Sequence, residues 1–402
     1  MNDLKIIGGR VVTFRDGPVT GNRMDSPLVL ENANIIINDG FITAIDEDKP
    51  AKETIDAGGK LVIPGFVDSH THLVFAGSRE DEFEKRLKGV SYLEIARGGG
   101  GILSTVRATR NADRQTLIGL ARERLRYALS WGTTTLEIKS GYGLSTEDEL
   151  KMLEVIDELK RTTSQTVVAT FLGAHEFPQD MARNEYVGII LNEMLPEIAR
   201  RGLARFIDVF CEEGVYTKKE TEKILLRGRE YGLLPKIHAD ELASSGGSEL
   251  AEEVGAVSCD HLSYPSEEGI RGMKSTGTVA VLLPATTLFL SGKAAPARRF
   301  IDENIPVAIA SDFNPGSSPV LAMPLVMSLA CLLYKLTPTE VLCASTINAA
   351  YAICEEERGS IEVGKRADIL VCDRKNVNEI PYWFGFNPVR YVVKNGNLKK
   401  IS

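Results

Sequence analysis

Eight short apolar, strand-like runs recur along the middle of the chain, each followed by a helical pattern, and this repetition most restricts the fold. The first ends at His72, and the others span 132–139, 166–175, 206–213, 235–240, 256–261, 278–284 and 306–312. Parallel strands need long crossovers, which helices fill. Several helix starts are legible. Ser145-Thr146-Glu147-Asp148, Thr217-Lys218-Lys219-Glu220 and Thr337-Pro338-Thr339-Glu340 are capping-box sequences, the last with proline at the first helical position. Eight β-then-α units predict an α/β fold, a (β/α)8 TIM-like barrel, with a doubly wound open sheet as the alternative.

The two chain ends read differently. Residues 4–7, 28–37, 41–45 and 61–63 are β-rich, and Asn38-Asp39-Gly40 is a hairpin signal. At the other end 367–372 and 389–393 are again strand-like, with a turn at Asn395-Gly396. Chain ends often lie close together. The expectation is one small β-sandwich built from both termini, with residues 1–64 as its first part and 355–402 as its second, around a barrel over 65–354.

The formal net charge of −8 argues against a phosphate-backbone partner, so no nucleic-acid surface is expected. No apolar run approaches membrane-spanning length and the first residues hold no secretory apolar core, which predicts no membrane partner. The six cysteines are scattered without a CxxC pair, as expected of reduced core thiols in a cytoplasmic protein.

The chemistry is signalled by the stretch from Val62 to His72, which ends His70-Thr71-His72. Alternate strand residues share a face, so the two imidazoles leave together and form a metal half-site. Barrel enzymes place their chemistry at the C-terminal ends of the strands. All five histidines fall there: His70 and His72 on strand one, His175 on strand three, His238 on strand five and His261 on strand six. Asp312 closes strand eight. A metal site at the barrel mouth is the reading.

This order, with the Pro64-Gly65-Phe66-Val67-Asp68 lead-in to His70 and the two-ended β unit, resembles the amidohydrolase superfamily of metal-dependent hydrolases over nearly the whole chain. The resemblance implies metal ligands His70, His72, His238 and Asp312, with His261 kept in the site as a polarising group. It implies one divalent ion, zinc or iron, and a homodimer. Many members bind a second ion through a carboxylated lysine on strand four. Here 206–213 carries none, Lys139 ends strand two instead, and Glu212 reads as a bridging or, more simply, a solvated or capping carboxylate. A water acidified by the ion would give its proton to Asp312, and His261 would hydrogen-bond the developing oxyanion.

Longer blocks narrow this further: 70–79, 137–144, Gly173-Ala174-His175-Glu176, His238-Ala239-Asp240-Glu241 and 311–317. They resemble the branch of the superfamily that hydrolyses a C–N bond in a cyclic amide. The substrate implied is 4-imidazolone-5-propanoate, a small flat ring with a propanoate tail, opened to N-formimidoyl-glutamate. On that resemblance Arg79 would clamp the tail carboxylate, and Tyr142 and Tyr92 would close over tail or ring. Glu241 would bind a ring N–H and shuttle a proton as a third catalytic group with Asp312 and His261. His175 would hydrogen-bond the substrate, and Asn314, Gly316 and Ser317 would meet its carboxylate end. A deaminase of aminated heterocycles, with the same metal set and a different pocket, is the near rival; a non-catalytic scaffold barrel is the remote one. Gly98-Gly99-Gly100-Gly101 lacks the Gly-Lys-Ser/Thr of a phosphate loop and reads as a mobile loop over the mouth or a plain connector.

Overall fold

The computed structural model describes residues 1–90, 94–95 and 99–400, so Tyr92 and Gly98 lie outside the described residues. Among the described residues sixteen strands form two sheets. One is the barrel, made of β6 (Phe66–Asp68), β7 (Thr133–Lys139), β8 (Thr166–Ala174), β9 (Phe206–Cys211), β10 (Leu234–Ala239), β11 (Ser258–His261), β12 (Val279–Leu282) and β13 (Val307–Ile309). Every neighbouring pair is parallel and consecutive in sequence. The ends of this path meet at the C-terminal rim, where Asp312 N donates to His70 O and His72 N to Phe313 O, at 3.0 and 2.9 Å. The open-sheet alternative is therefore excluded.

The strands are buried on both faces because helices cover the outside. Helix α3 (Thr146–Thr162) starts with Ser145 Oγ accepting from Asp148 N, whereas α4 (Lys218–Glu230) and α5 (Pro338–Ala344) start with complete capping boxes at Thr217 and Thr337. Two further helices lie over the mouth between the first two barrel strands: α1 (Glu80–Leu87) and α2 (Ile102–Asn111).

The second sheet joins the two ends of the chain. Its order is β16 (Asn397–Lys400), β15 (Val389–Lys394), β14 (Ile369–Cys372), β5 (Leu61–Pro64), β1 (Asn2–Thr13), β2 (Leu28–Asn38), β3 (Phe41–Ile45). An eighth strand, β4 (Ala51–Asp56), pairs with the first half of β1, while β5 pairs with its second half. A register shift at Gly9 separates the two halves. A Cβ at Gly9 would stand 2.7 Å from Val62 Cγ2, so the bend needs glycine there. The sheet encloses its own core of Leu4, Ile6, Val11, Ile35, Ile37, Val62, Ile369 and Val393. β4 was not expected; its sequence Ala-Lys-Glu-Thr-Ile-Asp offers one buried residue, Ile55, and no alternation.

Candidate active site

The histidines converge where the barrel strands end. His70 and His72 follow β6, His238 lies in β10, His261 ends β11 and Asp312 follows β13. His70 Nε2 stands 3.3 Å from His72 Nε2, which is 3.5 Å from His238 Nε2. Asp312 Oδ1 is 3.5 Å from His70 Nε2 and 3.4 Å from His72 Nε2. Ligands 2.0–2.1 Å from a tetrahedral ion stand about 3.3–3.4 Å apart. The donor set thus fits a zinc-sized divalent ion. His70, His72 and Asp312 form one group able to hold a metal, and His70, His238 and His261 another.

Burial and neighbouring groups favour the neutral form of His70, His238 and His175. His70 Nδ1 pairs with Asp260 Oδ2 at 2.5 Å, and His238 Nδ1 lies 2.9 Å from Asp208 Oδ2, out of line with its ring N–H. Such carboxylates orient a histidine so that Nε2 faces the ion. Burial, joined by the charge on Lys139, pushes His70 well below the usual histidine range. Burial likewise brings His238 down to about 3 against the pull of Asp208, and His175 to about 3. Asp312 goes the other way for a buried carboxyl. Burial would raise it, but the hydrogen bond to His72 and the charges of His261 and His72 bring it down to about 2. Its Oδ2 accepts from Thr286 Oγ1 at 2.6 Å. Asp240, His261 and Asp312 all adopt left-handed backbone, with φ of 53°, 75° and 51°. Three such strand ends together mark a functional rim.

Above this cluster lies a cavity of about 300 Å³, small even among ligand pockets. His72, His238, His261 and Asp312 line it, and so do Arg79, Tyr142, His175, Glu241, Asn314, Gly316 and Ser317. His175 stacks on His72 with ring centroids 4.9 Å apart, and its Nδ1 is 3.1 Å from Gly141 O. Glu241 Oε1 is 3.5 Å from His261 Nδ1, and burial raises the Glu241 carboxyl, opposed by His261. Asn314 Oδ1 accepts from Gly316 N and Ser317 N, both at 2.8 Å, which fixes the turn after Asp312. Of the expected site residues that are described, only His70, buried behind the cluster, does not line the cavity, and Tyr92 lies outside the described residues.

Residues 61–399 match the amidohydrolase family. The chain belongs to that family. It is 48% identical over 394 residues to imidazolonepropionases of Geobacillus thermodenitrificans and Brevibacillus brevis, covering 95% of this chain and 93% of each relative. The imidazolonepropionase of Thermoanaerobacter pseudethanolicus is 47% identical, covering 96% and 94%. Among solved structures, the fold matches E. coli guanine deaminase (TM-score 0.75, 14% identity, 98% of both chains). It also matches a Xanthomonas campestris adenosine deaminase with bound zinc (TM-score 0.74, 18% identity, 100% of this chain and 93% of that one).

The amidohydrolase barrel here rests on a layer that sequence reasoning did not identify. Below the histidines, Lys139 Nζ contacts Glu137 and Asp208 at 2.9 and 2.8 Å, and Lys236 Nζ contacts Glu137 and Ser69 O, both at 3.0 Å. Asp260 lies 3.6 Å from Lys139 and 3.9 Å from Lys236. All five side chains are wholly buried. Burial opposes the Lys139 charge, yet Asp208, Glu137 and Asp260 hold its pKa above the usual lysine value. Two lysines and three carboxylates thus share one buried layer beneath the histidines. The signal was present: Glu137, Lys139, Asp208, Lys236 and Asp260 are charges at buried positions of the barrel strands, and Lys236 precedes His238 by two.

Buried carboxylates also hold the loops that carry site residues. Glu149 accepts from Gly141 N, Gly143 N and Leu144 N, fixing the Tyr142 loop. Asp240 accepts from the backbone N–H groups of Ser245, Gly246, Gly247 and Ser248. Glu212 accepts from Leu242 N at 2.7 Å and from Ser245 Oγ, so it braces the Glu241 loop, as a capping carboxylate does. Gly101 N donates to Glu82, tying down the described end of the glycine run.

Proposed function

We propose that this chain catalyses the imidazolonepropionase reaction, hydrolysis of 4-imidazolone-5-propanoate to N-formimidoyl-glutamate, with one divalent ion, zinc or iron, held by His70, His72, His238 and Asp312. The observation that carries it is the two-sided cavity. The His/Asp cluster forms one wall, and Arg79 with the 314–317 turn forms another, which suits a flat ring with a short anionic tail. The near-full-length relatives bearing that enzyme name support the same substrate.

When bound, the ion supplies Lewis acidity, polarising a carbonyl and acidifying a water. Asp312 stays ionised because its carboxyl lies near 2, so it accepts the proton of the attacking water. His261, backed by Glu241, donates a hydrogen bond to the carbonyl oxygen as it gains charge. The ring C–N bond breaks, the freed nitrogen receives a proton from Asp312 or Glu241, and one water is consumed. Burial raises the Glu241 carboxyl against the pull of His261, which suits a group that passes a proton. Arg79 grips the propanoate through its guanidinium, with Tyr142, His175, Asn314, Gly316 and Ser317 around the substrate. Tyr92 belongs to this reading as well. So do the division into a barrel over 65–354 and a terminal β unit, a cytoplasmic location and a homodimer. Exposed Tyr382, Trp383, Phe384 and Phe386 supply an apolar surface consistent with self-association. Among the described residues no helix is long and apolar enough to cross a membrane.

The test is ring opening by the purified, metal-loaded protein, followed by loss of ring absorbance above spontaneous decay. The expected product is N-formimidoyl-glutamate, and a chelator is expected to abolish its formation. Decay at the spontaneous rate with metal bound would overturn the substrate assignment and favour an aminated heterocycle. Arg79→Ala is expected to raise KM by about thirtyfold or more, since a charge-assisted pair to a carboxylate is lost. An unchanged KM would remove Arg79 from tail recognition.

A further inference from the structure

Helix α1 is attached to the barrel in an unusual way. Its one buried residue is a carboxylate, Glu82, while Phe83 and Leu87 are exposed. Arg79, Glu82 and Arg86 are spaced three and four apart and so share a face. Each of them reaches a different part of the site. Arg79 Nε donates to Glu82 Oε2 at 2.8 Å, and Glu82 Oε1 accepts from Gly101 N at 2.8 Å. Arg86 Nη2 donates to Gly316 O at 2.9 Å, with its guanidinium 4.8 Å over the Phe289 ring. The Arg79 guanidinium lies so close to Gly316 that a Cβ there would stand 2.1 Å from Nη1. Arg79, just before α1, and Arg86 within it thus bracket one glycine at the cavity wall, and both line the cavity.

We propose that Glu82 and Arg86 are positioning residues for recognition of the substrate carboxylate, an inference that rests on the proposed reaction. Glu82 takes the Nε edge of Arg79 and thereby turns its Nη edge toward Gly316. Arg86 tethers the carbonyl of that same glycine, so the turn and Arg79 stay in register as one carboxylate pocket. Neither residue touches the reacting ring. Their effect is confined to the tail.

The experiment compares wild type, Arg86→Gln and Glu82→Gln, all metal-loaded, on 4-imidazolone-5-propanoate and on 4-imidazolone lacking the tail. Loss of a hydrogen bond to a charged group predicts a KM for the tailed substrate raised about tenfold or more. kcat is expected to stay within about threefold, and kcat/KM for the tail-less ring within about twofold. An equal fall on both substrates would assign the two residues a general structural role and overturn the proposal, as would unchanged KM in both variants. An inactive wild type is a separate outcome: it overturns the reaction itself, whatever the variants do.

Discussion

Arg79 packs its guanidinium over Gly316 more closely than any side chain at that position would permit. The obstacle to a methyl group there is the far end of a flexible arginine, and Gly316 is not among the positive-φ glycines, so no backbone strain is added. Gly316→Ala is therefore expected to fold with a thermal midpoint close to wild type, because Arg79 swings aside. Its KM for the tailed substrate is expected to rise about tenfold, since the anchor no longer faces the tail. A lowered midpoint with unchanged KM would show that the glycine serves the turn alone. Arg79 and Gly316 were legible as a pair because they belong to blocks characteristic of the superfamily branch. Glu82 was not legible, since a glutamate in the first turn of a helix reads as an ordinary helix-dipole partner. Only the fold shows it buried between Arg79 and Gly101.

Strand β7 sends two charged side chains, and β9, β10 and β11 one each, into the barrel beneath the histidines, and this layer is a property of the elements together. The apolar runs and helix caps made the eight repeats readable, and the strand ends located the histidines and Asp312 that the fold brings together. The interior charges were harder to place, because which faces of four strands meet depends on the register of the closed barrel. Lys139 looked like a residue in the wrong place for a second metal; it is the counter-ion of Asp208 and Glu137. The layer's work is visible at His70, whose Nδ1 partner Asp260 also faces both lysines. Asp260→Asn keeps an acceptor in reach of His70 but turns an amide toward two cations. Outer-shell substitutions of this kind cost about 10–100-fold in metal affinity, and that loss is expected here. Competition with a chromophoric chelator reads it directly, without recourse to turnover. Wild-type affinity in the variant would make the layer a matter of barrel folding alone.

The terminal sheet and the barrel meet at a buried ionic junction, and one step in the molecule's response to alkali belongs to it. Lys394, in β15, donates to Asp368 Oδ2 at 2.7 Å and to Thr166 Oγ1 at 2.9 Å, and Thr166 is the first residue of β8. Asp368 also accepts from Arg358 and from Asn395 N, so the carboxylate keeps partners without the lysine. Burial lowers Lys394 from 10.5 to about 8; Asp368 opposes this and Arg358 reinforces it. Between those two values the unfolded chain binds a proton that the folded one has released, so stability rises with pH across the window. Desolvation of the charged lysine weighs fully on the fold below about pH 8 and is relieved toward pH 10.5. Lys394→Met has no such proton to release. Paired unfolding of wild type and variant should therefore shift in favour of the wild type by about 2 kcal/mol between pH 7.5 and 10. The other lysines and tyrosines titrate in both proteins and cancel in the difference. A gap that stays constant with pH would mean that Lys394 remains charged at the junction throughout, held by Asp368 as an ordinary ion pair.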